Sequence, residues 1–135
     1  IVVSGGAGWG ERAPSQRTIT TGYVQDEELT ALYQCADLYI APSRYEGFGI
    51  PLLEAWACDC PVVCSTGGAL PEVASDAAVV IEGWDPGEWS NQIAALLSDS
   101  SKLSELRQKG KERLKAFSWE DTARKTVSAY FEVIG

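Results

Sequence analysis

Short apolar runs alternate along the chain with longer amphipathic stretches. Residues 1–4, 17–21, 37–41, 61–65 and 77–81 are rich in Val, Ile and Thr, and each is followed within two residues by Gly or Pro. That combination of β-branched composition and turn punctuation predicts five short strands. The runs are almost continuously apolar, the pattern of parallel strands covered on both faces. Between them, Asp26 reads as the N-cap of a helix through Cys35, with Leu29, Leu32, Tyr33 and Ala36 on one face. A second helix is predicted over 52–57, with Pro51 in its first turn, where a missing N–H costs nothing. A short helix is predicted near 71–74.

Beyond residue 85 the pattern is helical. Asp85-Pro-Gly-Glu88 and Ser118-Trp-Glu-Asp121 are capping patterns that open helices over 89–97 and 122–133. Leu103, Leu106, Leu114 and Phe117 supply apolar stripes in the Lys- and Arg-rich stretch between them. Strands alternating with helices and followed by a helical tail predict one α/β, Rossmann-like, doubly wound domain over 1–135, with 86–135 as its helical part.

Composition narrows the partners. A chain of 135 residues with 45% apolar and 22% charged residues is a single globular domain. Its net charge of −8 argues against nucleic acid as a ligand, because phosphate backbones need clustered Lys and Arg. No run approaches the roughly 18 apolar residues of a membrane span. The chain opens on Ile1 without a methionine, directly in a strand, and reads as a piece of a longer protein. Cys58, Cys60 and Cys64, with Cys35 far upstream and no histidine in the chain, match no common zinc spacing. They read as reduced thiols of a cytoplasmic protein, and no metal is expected.

In an open parallel sheet, ligands bind where strand carboxyl ends feed into helices. The richest such loop is residues 42–54. Gly47 and Gly49 flank Phe48, so the backbone can approach a ligand closely, and the loop runs straight into a helix N-terminus. Free amides and the helix dipole favour phosphate oxygens there. Glu46 and Glu54 bracket the loop, and a carboxylate can accept hydrogen bonds from adjacent sugar hydroxyls. Taken singly, the glycines are ordinary punctuation and a Glu early in a helix merely complements the dipole. Together they describe a nucleotide-sugar site.

Tyr39-Ile-Ala-Pro-Ser43, Glu46-Gly-Phe-Gly-Ile-Pro-Leu-Leu-Glu54-Ala, Cys60-Pro-Val-Val-Cys-Ser65 and Gly67-Gly-Ala-Leu-Pro-Glu72-Val together resemble the C-terminal, donor-binding domain of family 4 (group 1) GT-B glycosyltransferases. The resemblance implies that Glu46 is the catalytic-site carboxylate facing the donor sugar and that Glu54 holds the nucleotide ribose. It also implies that main-chain amides around Gly47, Phe48, Gly49 and Ile50 contact the sugar, and that Pro51, Leu52 and Leu53 lie close to the diphosphate. Ser43 would lie beside the same pocket, Gly22, Tyr23 and Val24 would border the nucleobase, and Gly5 and Gly6 would line the cleft less directly. The donor would be a nucleotide-diphosphate sugar such as GDP-mannose or UDP-glucose, used without a metal.

The sequence departs from the family pattern in two places. Asp59-Cys60 stands where Gly-Thr is usual, and Asp tolerates the left-handed conformation that a helix C-terminus requires there. The first βα unit of the domain, a phosphate-gripping Arg/Lys loop and the N-terminal acceptor-binding domain are all missing from this chain. The absent strand would lie centrally, between the strand at Ile1 and the one at Asp37, and residues 9–17 are too short and polar for the usual crossover helix. These gaps predict exposed edges and self-association. The functional expectation is the donor-binding part of a retaining hexosyltransferase acting on a glycan, lipid or small molecule, with the chain inactive by itself. Contact with the inner face of a membrane would come only through the missing domain. A non-catalytic nucleotide-sugar-binding or interaction module of the same fold is the alternative, and a GT-B sugar-nucleotide epimerase is disfavoured by the lack of histidine.

Overall fold

The structure, a computed structural model, describes residues 1–5 and 17–134. Its strands are β1 (Val2–Ser4), β2 (Ile19–Gly22), β3 (Tyr39–Ala41), β4 (Val62–Ser65) and β5 (Ala78–Ile81). Its helices are α1 (Asp26–Cys35), α2 (Ile50–Ala57), α3 (Leu70–Ala74), α4 (Pro86–Ser98), α5 (Ser100–Leu114) and α6 (Trp119–Ile134). All strand pairs are parallel: β3, β4 and β5 lie side by side in that order, while β1 pairs with β2 in a separate ribbon. Among the described residues no ladder joins the two sheets.

The core lies around β4, every residue of which is buried. Val62 and Cys64 face a cluster with Tyr33, Leu52, Trp56 and Leu70, whereas Val63 faces a second cluster with Ile81, Trp89, Leu96 and Leu106. Burying a Val or Leu side chain is worth about 1.5–3 kcal/mol, so the strand with a cluster on each face anchors the domain. Trp56 is the largest fully buried side chain, and its indole lies against Gly110 of α5. A Cβ at Gly110 would come within 2.4 Å of Trp56 Cδ1, which accounts for a glycine inside a helix.

The two-sided cover predicted for every strand holds for β4 but fails for the ribbon. Ile1, Val2 and Ile19 are exposed, no layer of the described residues packing over them. Local edges also differ. α1 starts at Asp26, so Asp26 is its first residue and Gln25 the N-cap, with the Gln25 amide donating to Glu28 Oε2 at 3.0 Å. α2 starts at Ile50 because Pro51 fits the first turn. The capping predictions hold: Asp85 Oδ1 accepts from the Glu88 amide at 2.8 Å, and Ser118 Oγ from the Asp121 amide at 3.0 Å. Asp59 has a φ of 60°, the left-handed conformation expected of it, and its carboxylate ties the end of α2 to Lys111 of α5 at 2.8 Å. Gly6 and nearly all of 9–17 lie outside the described residues. Among those described, no helix is long and apolar enough to cross a membrane.

Candidate functional site

Three loops gather at the carboxyl ends of β3, β4 and β5, and the middle one braces the first. Ser65, the last residue of β4, is fully buried. Its Oγ donates to the Ser43 carbonyl and accepts from the Gly67 amide at 3.1 Å. One turn further on, the Ala69 amide donates to the Glu46 carbonyl at 3.0 Å. The backbones are in such close contact that a Cβ on Gly67 would fall 2.2 Å from the Ser43 carbonyl oxygen. One on Gly68, which has a φ of +62°, would fall 2.3 Å from the Glu46 carbonyl oxygen. Only glycines fit these two positions, and they hold the chain on either side of Glu46 against β4.

On this braced loop, the half-buried Glu46 accepts from Ser43 Oγ through Oε1 at 2.8 Å. Gly47 is exposed, and the Phe48 ring meets Phe117 edge to face at 5.7 Å. The Arg113 guanidinium stacks over the other ring of that pair, 4.9 Å from Phe117, and donates to the Val73 and Glu72 carbonyls at 2.9 Å each. In this way the last carbonyls of α3 and the site loop are tied to the end of α5. Gly49 then turns the chain into α2 with a φ of +100°. Ile50 is exposed and Pro51 half-buried, while Leu52 points into the core and its amide bonds back to the Gly49 carbonyl at 3.0 Å. Leu53 packs partly against the same core cluster.

Glu54 sits on the second turn of α2, half-buried, and its Oε2 accepts from Tyr33 Oη of α1 at 3.2 Å. Tyr33 packs edge to face on Tyr39 of β3, with ring centroids 5.3 Å apart. Burial pushes the Tyr39 phenol up to about 12, and the negative charges of Glu46 and Glu54 push the same way. Burial also holds the Tyr33 phenol far above its ordinary range, with Tyr39 and Glu54 adding to the shift. The charges of both carboxylates of the E-x7-E pair thus bear on the half-buried Tyr39, and Glu54 also bears on Tyr33. Each carboxylate has one oxygen held by a protein hydroxyl, and among the described residues the other oxygen has no hydrogen bond.

The third loop adds Trp84, over which the Arg44 guanidinium stacks at 5.4 Å, so the loops after β3 and β5 meet across the glycine loop. On the other side, Gly22 ends β2 and its carbonyl accepts from the Gly5 amide at 2.8 Å. Tyr23 is exposed and Val24 half-buried, and both line a groove of about 500 Å³ with Glu28, Leu32 and Cys35 of α1. α1 is thus shared: one face backs Glu54 and the other lines the groove. Among the described residues no three His, Cys, Asp or Glu side chains gather in a metal-binding group.

Residues 10–113 match the family described as glycosyl transferases group 1, a span covering most of the chain. The chain belongs to the group 1 glycosyltransferases. It is 40% identical, over 96% of its length, to O-antigen chain mannosyltransferase B of Escherichia coli, of which it covers 36%. Sucrose-phosphate synthase of Thermosynechococcus elongatus superposes on 87% of the chain with a TM-score of 0.77 and 30% identity, the match covering 30% of that protein. An Anabaena protein crystallised with UDP-glucose shares the fold alone, at a TM-score of 0.73 and 20% identity over 87% of this chain and 33% of its own. This group 1 chain spans about a third or less of the length of the relatives it matches by sequence. The doubly wound fold with its helical tail is the one expected from the sequence.

Sequence reasoning about this glycosyltransferase domain missed Tyr33, Ser65 and the Arg44–Trp84 stack. Tyr33 read as one more core position on α1, and its hydroxyl partner lies 21 residues away. Ser65 read as the end of a strand, and its partner Ser43 lies 22 residues away. No local pattern encodes contacts at that range.

Proposed function

We propose that the chain is the donor-binding part of a retaining hexosyltransferase that moves a hexose from a nucleotide-diphosphate sugar to an acceptor glycan, lipid or small molecule. The observation that carries this reading is the pair of half-buried glutamates on the loop after β3 and the helix it enters, each accepting from one hydroxyl. Glu46 then faces the donor sugar beside the reaction centre, and Glu54 takes the ribose. The Gly47–Ile50 backbone and the start of α2 meet the sugar and diphosphate, where helix-end amides favour negative charge. No metal is assigned, because protein donors stabilise the departing diphosphate. The groove beside Gly22, Tyr23 and Val24 takes the base.

A GDP-mannose-type or UDP-glucose-type donor fits, and the identity to a protein named a mannosyltransferase supports mannose. The acceptor is held by a part of the protein outside this chain. Four unpaired cysteines support a cytoplasmic setting. The test is transfer by the full-length protein from each donor, with the anomeric configuration of the product read by NMR. Retention is expected, with Glu46→Gln lowering kcat by about 100-fold or more, the scale of losing one transition-state contact. Inversion, or full activity in Glu46→Gln, would refute the assignment. Donor binding without transfer to any acceptor would select the non-catalytic module instead.

A further inference from the structure

Tyr33 is a buried residue of α1 whose ring belongs to the main core cluster, yet its hydroxyl leaves that cluster to meet the Glu54 carboxylate at 3.2 Å. Most core positions on a helix end in a methyl group or a plain ring, and a phenylalanine would pack the same space against Tyr39. The hydroxyl therefore does something besides fill volume. Burial beside Tyr39 and Glu54 keeps the phenol protonated, so its O–H is a permanent donor aimed at Oε2.

The geometry of a ribose diol makes such a donor useful. Two vicinal hydroxyls can both donate to one carboxylate only when the carboxylate plane is presented to them in a fixed orientation. A glutamate side chain free to rotate loses that orientation, and ordering it opposes binding. A donor behind the carboxylate fixes the plane before the ligand arrives. It occupies one acceptor site on Oε2 and leaves Oε1, together with the remaining lone pair of Oε2, for the sugar. A hydroxyl that merely found a partner for itself would make the same bond but would leave ligand selectivity untouched.

We propose that Tyr33 is a positioning residue of the donor site: its hydroxyl orients Glu54 toward the ribose diol and thereby sets a preference for ribonucleoside over deoxyribonucleoside diphosphates. This rests on the reading of Glu54 as the ribose acceptor. It adds to that acceptor a residue from a different helix, which strengthens the ribose preference by holding the carboxylate in place.

The experiment is calorimetric titration of the full-length protein with UDP and GDP and with their 2′,3′-dideoxy analogues. Wild type, Tyr33→Phe, Glu54→Gln and the double variant are compared. Tyr33→Phe keeps the ring and its packing, and a thermal melt checks that its fold matches the wild type. Wild type is expected to prefer the ribonucleotide, and Tyr33→Phe to weaken ribonucleotide binding by about 3- to 10-fold, the scale of one hydrogen bond. Binding of the dideoxy analogue should stay within about twofold, and the Tyr33→Phe effect should vanish in the Glu54→Gln background. Equal weakening of both ligands would make Tyr33 a purely structural residue and overturn the proposal, as would unchanged ribonucleotide binding. If wild type shows no ribose preference, or Glu54→Gln leaves it intact, the reading of Glu54 itself fails. A Glu54 effect without a Tyr33 effect removes only the positioning role.

Discussion

β4 and β1 are similar in sequence, each built on a Val-Val pair, and they have opposite fates in the fold. In β4 every residue is buried, with a core cluster on each face, whereas β1 leaves Val2 exposed and, among the described residues, pairs with β2 alone. α6 sides with β1: Trp119, Tyr130, Phe131 and Ile134 are exposed along it, and no residue of the helix is buried. The braced loops belong to the β3–β4–β5 half, which carries the E-x7-E segment on its own packing. The ribbon and the last helix present apolar surface that nothing among the described residues covers. An apolar run marks a strand that seeks cover, while its surroundings decide whether cover is found.

The comparison is broken most severely at Trp56. Trp56→Ala should cost about 3–5 kcal/mol in urea unfolding, a large part of the roughly 5–15 kcal/mol that stabilises a domain. Trp56→Phe should cost much less, since Trp56 Nε1 has no hydrogen-bond partner among the described residues and its removal forfeits no bond. A small loss in Trp56→Ala would show that the β4 half is not organised around this indole.

Next in size is Gly67→Ala, which places a methyl group 2.2 Å from the Ser43 carbonyl oxygen and must push the site loop off β4. A cost of about 1–3 kcal/mol is expected, together with weaker nucleotide binding. Unfolding curves and titrations like those of the wild type would mean that the two loops do not depend on each other.

Alkali tests the same half more gently. Burial pushes the Cys60 and Cys64 thiols up to about 11 from 9.0 and the Tyr39 phenol up to about 12 from 10.0. Each group loses its proton more readily in the unfolded chain, so its contribution is complete below pH 9 and is lost as pH rises through 11–12. Urea midpoints measured from pH 8 to 11.5 should fall steadily above pH 9. A flat profile would contradict the burial of these three groups.

The smallest effect on stability is expected in the uncovered region. Replacing Tyr130 and Phe131 of α6 by Ser should change the unfolding free energy by no more than about 0.5 kcal/mol per site, because both side chains are exposed. It should, however, reduce any self-association seen by size-exclusion chromatography. A clear loss of stability would show that the helix packs on the domain.

These contrasts also mark how far the sequence could be read. Strand positions, the caps at Asp85 and Ser118 and the left-handed Asp59 follow from local chemistry, and each is legible within a few residues. The E-x7-E loop is legible for the same reason. The exposure of Ile1 and Ile19 is not, since an apolar run looks alike whether or not a layer lies over it. Nor are Tyr33 to Glu54 and Ser65 to Ser43, where the partners come from different elements and meet only in the assembled fold.

The loop from Glu46 to Glu54 is proposed to form one wall of a nucleotide-sugar donor site. The most direct test of this assignment is a crystal structure of the full-length protein with a bound nucleotide-diphosphate sugar. Ribose hydroxyls are expected at hydrogen-bond distance, about 2.5–3.0 Å, from the Glu54 carboxylate, with the diphosphate at the start of α2 and the hexose facing Glu46. A nucleotide bound elsewhere, or one whose ribose points away from Glu54, would contradict the assignment.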